Sequence, residues 1–199
     1  MSTVSPHSVG PGIRVAVLVE GESDRLAVET LAIRLGQDLS ADGVEIVVMN
    51  GVTNTRTIAG ELLRAAPAIT LAGLYDAPEA DKVRGGLVGA GVVTEVEISG
   101  LRDAGFFACT VDLEDELIRA VGLDGVEAVI DSEGETHSLR LLAGMPAQQG
   151  WSRDAVIRRF LTSQAGRKAR YARRLSEEVD LDHAPSPIVD LLAHVRARR

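Results

Sequence analysis

The residues best suited to chemistry lie in Val15 to Asp24, Val-Ala-Val-Leu-Val-Glu-Gly-Glu-Ser-Asp, where an apolar run stops at three carboxylates set around a glycine. If Ser23 caps a helix, Glu20 at the end of the run and Asp24 in the first helical turn can point at one spot. Two hard oxygen ligands so placed suit Mg²⁺ or Mn²⁺. The pattern recurs twice. Asp76 closes the apolar run Ala68 to Tyr75, and Asp112, Glu114 and Glu116 follow the run Phe106 to Val111. One acid after a strand is commonly only a helix cap, but acids at three strand ends repel one another unless a divalent cation sits among them. A pair of metals about 4 Å apart would accommodate the set.

Strands and helices must bring these acids together. Ile13 to Val19 is small and β-branched, as suits a strand buried on both faces, and a helix from about Ser23 to Leu35 stops at Gly36. A second strand, Val44 to Met49, ends at Asn50-Gly51, and Asn54 or Thr55 can cap a helix running to Ala66 before Pro67. The third strand, ending in Asp76, leads into a helix from Pro78 through Val88. This β-α-β-α-β-α alternation with short loops implies right-handed crossovers, and hence an α/β fold with a parallel sheet and helices on its faces. In such a sheet the carboxyl ends of the strands share one edge, where ligands bind.

After Gly91 the pattern weakens: Thr94 to Ile98 reads as a short strand or an extended loop, then Phe106 to Val111 is a strand and Asp112 to Val121 a helix. Beyond Gly122 helices are expected at Val126 to Ser132, Ser138 to Ala143, Arg153 to Ser163, Ala165 to Glu177 and Ile188 to Arg196. The chain thus divides into a Ser/Pro/Gly-rich tail over residues 1–12, expected to be disordered, an α/β domain over 13–122, and a carboxy-terminal helical region over 123–199 packed on it.

Composition narrows the function classes. The 199 residues are 45% hydrophobic and 25% charged, which describes a globular chain. No apolar run approaches the roughly 20 residues a membrane span needs, and residues 1–12 lack signal-peptide character, so a cytoplasmic location is the default expectation. The single cysteine, Cys109, reads as a buried thiol, and His7, His137, His183 and His194 show no metal-ligand spacing. Gly86, Gly89 and Gly91 end a helix instead of opening one, which does not suit a dinucleotide loop.

The net charge of −8 is unevenly spread: from Trp151 onward there are 11 basic and 6 acidic residues, leaving 10 basic and 23 acidic before it. An acidic metal-site half joined to a basic tail suits a phosphodiester substrate. Arg167, Arg170 and Arg174 share a helical face, with Arg173 beside them; the stripe could track a phosphate backbone, with Trp151 or Tyr171 available for stacking, although Trp151 reads more readily as a packing residue.

Val-Glu-Gly-Glu-Ser-Asp before an apolar helix, then Leu-Tyr-Asp-Ala-Pro-Glu, then Asp-Leu-Glu-Asp-Glu-Leu, resembles the Toprim domain of overcoming-lysogenization-defect (OLD) nucleases over roughly Ile13 to Arg174. The resemblance implies a Rossmann-like Toprim sheet with a helical appendage and a metal-dependent endonuclease cleaving DNA. On it, Glu20 is the Toprim glutamate, acting as general base or ligand; Asp24 and Asp76 complete a first metal site; Asp112 and Glu114 contribute to a second. Lys168, in Gly-Arg-Lys-Ala-Arg-Tyr, matches a late lysine that stabilises transition-state charge. Two departures stand out. Toprim proteins usually carry Asp-x-Asp at the third strand, whereas here Pro78 follows Asp76, so that Glu79 or Asp81 would have to substitute. Nucleases of this family are generally fused to an ABC-type ATPase, yet the chain has no Gly-x-x-x-x-Gly-Lys-Ser/Thr loop, so either the domain works alone or an ATPase partner is encoded separately. Two other readings compete: a degenerate, non-catalytic Toprim module that binds nucleic acid or an ATPase, and a receiver-like domain phosphorylated on Asp76, which would need a lysine where the fourth strand ends in Asp112.

Overall fold

The computed structural model describes residues 10–94 and 97–198. The tail over 1–12 therefore falls largely outside the described residues, as do Glu95 and Val96 of the ambiguous segment. Four strands, β1 (Val15–Val19), β2 (Val44–Val48), β3 (Thr70–Asp76) and β4 (Phe106–Cys109), form one parallel sheet in the order β2-β1-β3-β4. Register pairs Val15 with Val44 on one side and with Thr70 on the other, and sets Asp76 beside Cys109.

Side-chain alternation along the strands builds two cores. Val15, Val17 and Val19 of β1, with Ala72, Leu74, Phe107 and Cys109, face one layer; Ala16 and Leu18, with Leu71, Tyr75 and Phe106, face the other. The second layer is closed by α2 (Thr55–Ala65) and α3 (Ala80–Gly89), through Ile58, Leu62, Val83 and Leu87. The first is closed by α1 (Glu22–Arg34) and α4 (Leu113–Val121), followed by α5 (Leu123–Ser132), α6 (Thr136–Ala143), α7 (Arg153–Leu161), α8 (Arg167–Glu178) and α9 (Ser186–Arg196). Tyr171 and Leu175 of α8 and Leu191 of α9 join Val28 and Leu31 of α1 in one continuous core. The helices beyond residue 122 thus share the sheet's apolar core, with α9 packed directly on β3 and β4, α8 packed on α1, and α6 on the outside with no fully buried residue.

Helices α1 and α8 lie side by side and run in the same direction. Gly21 to Asp24 and Gly166 to Ala169, at their amino-terminal ends, line one cleft, while Arg34 at the far end of α1 donates to the carbonyls of Ser176 (2.8 Å) and Val179 (2.6 Å) at the far end of α8. One guanidinium satisfies two carbonyls that the end of a helix otherwise leaves unpaired. Arg34→Met, which keeps the stem and removes both donors, is expected to lower stability by about 2 kcal/mol, measured by urea unfolding at neutral pH; an unchanged midpoint would mean that water replaces the cap.

Candidate functional site

The carboxyl edge of the sheet opens into a cleft of about 550 Å³ lined by Glu20, Asp24, Asp76 and Lys168, together with Asn50, Gly51 and Gly166. Glu20 follows β1 directly, and its carbonyl accepts from Gly51 N–H (3.2 Å), tying the loops after β1 and β2 together. The helix cap differs from expectation. Gly21 is the N-cap, in an extended conformation, and Ser23 is buried within the first turn. Asp24 reaches back so that its Oδ2 accepts from Gly21 N–H at 2.9 Å. A Cβ at position 21 would meet Oδ2 at 3.4 Å, an ordinary contact, so it is the backbone N–H that fixes Asp24 here. Asp24 is therefore held rigidly at the mouth of the helix, and only 9% of it is exposed.

Burial and neighbouring charge govern the acids. Burial, then Asp24, Glu20 and Asp112, push the Asp76 carboxyl up to about 7, against a smaller pull from Lys168. Burial likewise raises Asp24 and Glu114. Lys168 stands two residues after Gly166, whose left-handed backbone (φ 77°) lets the chain turn into α8. Burial draws the Lys168 ammonium down, but Glu114, Asp24 and Asp76 outweigh it and leave the ammonium more strongly protonated than a free lysine. Its Nζ lies 3.1 Å from Glu114 Oε2, while Glu114 Oε1 is buried without a hydrogen-bond partner.

The remaining predicted acids are placed differently. Asp112 is the N-cap of α4, its Oδ1 accepting from Asp115 N–H (2.7 Å) with Arg158 at 3.5 Å, and it does not line the cleft. Glu114 reaches the cleft only through Lys168. Glu116 accepts from Thr110 N–H (2.7 Å). Glu79 and Asp81, the possible substitutes for an acid at position 78, pair with Lys82 (2.6 Å) and Arg84 (3.6 Å) and stay outside the lining. Asn50, one of the non-glycine residues with left-handed backbone (φ 55°), and Gly51 complete the rim. The sequence signal for them was the Asn-Gly pair at the end of an apolar run, a dipeptide suited to positive φ.

The arginine stripe is corrected more sharply. Arg167 is 4% exposed, stacks over the Phe160 ring (4.0 Å) and donates to Ser163 Oγ (2.7 Å) and Glu135 (3.1 Å), so its fork is used inside the fold. The Tyr171 hydroxyl donates to Glu135 (2.8 Å) and the ring is buried, which removes it as a stacking platform. Arg170 pairs with Glu135 (2.7 Å), Arg173 with Glu177 (2.8 Å) and Arg174 with Glu133 (2.8 Å) and Glu177. A face that reads as a basic track is largely neutralised by the turn between α5 and α6, because carboxylates 133 and 135 fold over it. Cys109 lies under the site, and burial together with Asp76 drives its thiol far up, so it stays neutral.

Among the described residues, no three His, Cys, Asp or Glu side chains are arranged to close on one ion. The donor chemistry nevertheless fits a hard divalent cation. Asp24 and Asp76 face each other at elevated pKa, which marks negative charge in need of a counter-ion, and Mg²⁺ characteristically uses one or two carboxylates and fills the rest of its shell with water and phosphate oxygens.

An α/β sheet thus carries acids on its carboxyl edge, with a lysine supplied to the same cleft by a late helix. Residues 13–71 match the family model "Overcoming lysogenization defect protein-like, TOPRIM domain". The whole fold resembles the C-terminal region of the Xanthomonas campestris pv. campestris OLD protein (26% identity, TM-score 0.68, 93% of each chain covered) and of the Burkholderia pseudomallei OLD protein (22% identity, TM-score 0.66, 93% of this chain and 98% of that one). Residues 13–71 are thus similar to an OLD-like Toprim domain, and the fold as a whole is similar to that of OLD C-terminal regions. No curated protein matches it. No helix among the described residues is long and apolar enough to cross a membrane.

The raised Asp76 carboxyl has a measurable sign. The folded state holds this proton more tightly than the unfolded chain, so the associated stability is complete below about pH 4 and is lost as pH rises through about 7. Asp76→Asn is expected to exceed the parent in stability by about 1–2 kcal/mol at pH 8, after allowance for solvent screening, and to match it near pH 4. Urea unfolding at the two pH values, without metal, tests this; equal differences at both would overturn the assignment of Asp76 as an electrostatically strained group.

Proposed function

We propose that this protein is a divalent-metal-dependent hydrolase of nucleic-acid phosphodiesters, with DNA as the substrate. The observation that carries the reading is the convergence of Glu20, Asp24, Asp76 and Lys168, drawn from two strand ends and a distant helix, in one cleft. Asp24 and Asp76 would hold the cation with Glu20 adjacent. Mg²⁺ or Mn²⁺ bound there supplies Lewis-acid polarisation of a phosphoryl oxygen and a lowered pKa for the attacking water. Glu20 accepts the proton of that water. Asp24, fixed by Gly21 N–H, does not have to reorganise when ligands arrive, and Asp76 gives up its proton on binding. Lys168 exchanges Glu114 for the phosphoryl oxygens and neutralises the charge that builds on them. Asp112 and Glu114 become available to a second cation only when Arg158 and Lys168 release them. An ABC-type ATPase is the partner that the likeness to OLD nucleases implies, and the cytoplasm is the compartment where such a complex would meet DNA.

A second reading, a Toprim module that binds without cleaving, draws on Pro78 in the third-strand motif and on the absence of a closed carboxylate triad among the described residues. Relaxation of supercoiled plasmid in Mg²⁺ or Mn²⁺ separates the two. The hydrolase reading expects nicking that EDTA stops and that Glu20→Ala lowers by at least about a hundredfold, the usual scale for loss of a group acting in proton transfer. Cleavage undiminished in Glu20→Ala would sink it. Calorimetric titration with Mn²⁺ should show binding that Asp24→Asn and Asp76→Asn abolish; heat without dependence on either residue would point to the non-catalytic module's having no site here.

A further inference from the structure

A second cleft, of about 640 Å³, lies away from the carboxylate edge between α5, α6, the Pro146–Gln148 turn and the start of α7. Its walls combine three features seldom found together without a ligand. Trp151, 44% exposed, lines the cleft together with the apolar Leu139, Ala143, Val156 and the buried Ile157. Gln148 lines the same cleft with more than nine-tenths of its surface buried, and its Oε1 has no hydrogen-bond partner. Arg140 supplies a cation; whereas Arg153 across the cleft is held by Asp124 (2.7 Å) and Glu127 (2.6 Å), Arg140 has no ion pair among the described residues.

We propose that this cleft is a nucleotide site. A base stacks on Trp151, its polar edge meets the Gln148 amide, and its phosphate meets Arg140. Each feature answers one part of that ligand. The indole gives a flat face that every base can use, a carboxamide offers one donor and one acceptor to a base edge, and a buried amide without a partner recovers a hydrogen bond when an N–H arrives. A cleft of this volume is within the range of small-ligand pockets. An acidic peptide would not need the buried amide, and a lipid tail would need neither Arg140 nor Gln148.

Helix α7 borders the cleft on one side and pairs with the start of α4 through the residue that follows. Val156 and Ile157 of α7 line it, and the next residue, Arg158, bonds Asp115 and stands 3.5 Å from Asp112. The nucleotide can belong to a single strand threading from the edge or be a free mononucleotide. Binding in either case requires no hydrolysis, so the inference stands or falls apart from the hydrolase reading.

Trp151 is the sole tryptophan, so its fluorescence reports on this cleft alone. The test titrates the full chain, in EDTA, with AMP, with CMP, and with single-stranded octanucleotides of adenine and of cytosine. Stacking should quench the emission. Arg140→Ala, a surface change, should weaken binding about tenfold, as expected for a lost charge-assisted contact, and Gln148→Leu should weaken it about fivefold and alter the preference between adenine and cytosine. Octanucleotides binding at least about tenfold more tightly than mononucleotides would assign the cleft to a strand, and equal affinities would assign it to a free nucleotide. Unquenched emission at millimolar concentrations of every ligand, or affinities unchanged in both variants, would overturn the proposal. A protein that binds in this way yet never nicks plasmid would refute the hydrolase reading and leave this site standing.

Discussion

A parallel sheet delivers every strand's carboxyl end to the same edge, and in this protein three of those ends carry acid. The mutual repulsion of Glu20, Asp24 and Asp76 is the constraint to which the surrounding structure responds. Sequestering the acids from water raises their proton affinity, and the fold offsets part of the field in three ways. The amino termini of α1 and α8 both point toward the acids, with the positive ends of their dipoles nearest. Lys168 brings the cleft its one full positive charge among the lining residues. Gly21 N–H takes one oxygen of Asp24. What remains uncompensated is the part that a cation and a phosphate would resolve.

Much of this was legible from residue order because the signal was local and periodic. The runs Val15–Val19 and Thr70–Asp76 alternate faces with period two, and the acids that follow them sit where the parallel topology must place them. Pairing Glu20 with Asp24 required only a helix to begin between them. The cap itself escaped because Ser23 looks like a better cap than Gly21, while the geometry turns on a backbone N–H reached by Asp24, a contact no residue type announces. Asn50 and Gly51 were visible as a strand end but not as part of a rim, since nothing in one strand's sequence tells which loops meet across the edge.

The arginines show where one-dimensional reading fails. Arg167, Arg170 and Arg174 form a stripe on α8, but whether a stripe faces water or protein depends on what packs over it, and Glu133 and Glu135, more than thirty positions earlier, do so here. Tyr171 and Trp151 were both candidates for stacking, with Trp151 the one that read more readily as packing. Tyr171 became core through its contact with Phe160 and its hydroxyl bond to Glu135, whereas Trp151 stayed exposed in the lining of a cleft. Tertiary burial sorted two aromatic residues that composition could not.

The side-by-side course of α1 and α8 makes the site a matter of registration. Glu20 and Asp24 are fixed to the start of one helix and Lys168 to the start of the other, and no short stretch of chain connects them. Their relative height is instead gauged at the opposite ends, where Arg34 grips the carbonyls of Ser176 and Val179. A slip of α8 by one residue along α1 would displace the ammonium by about 1.5 Å, enough to separate it from a phosphoryl oxygen. The alignment of carboxylate and ammonium is therefore written in a contact roughly 15 Å of helix away from both, and sequence drift at that remote contact would detune the cleft without touching a residue that lines it.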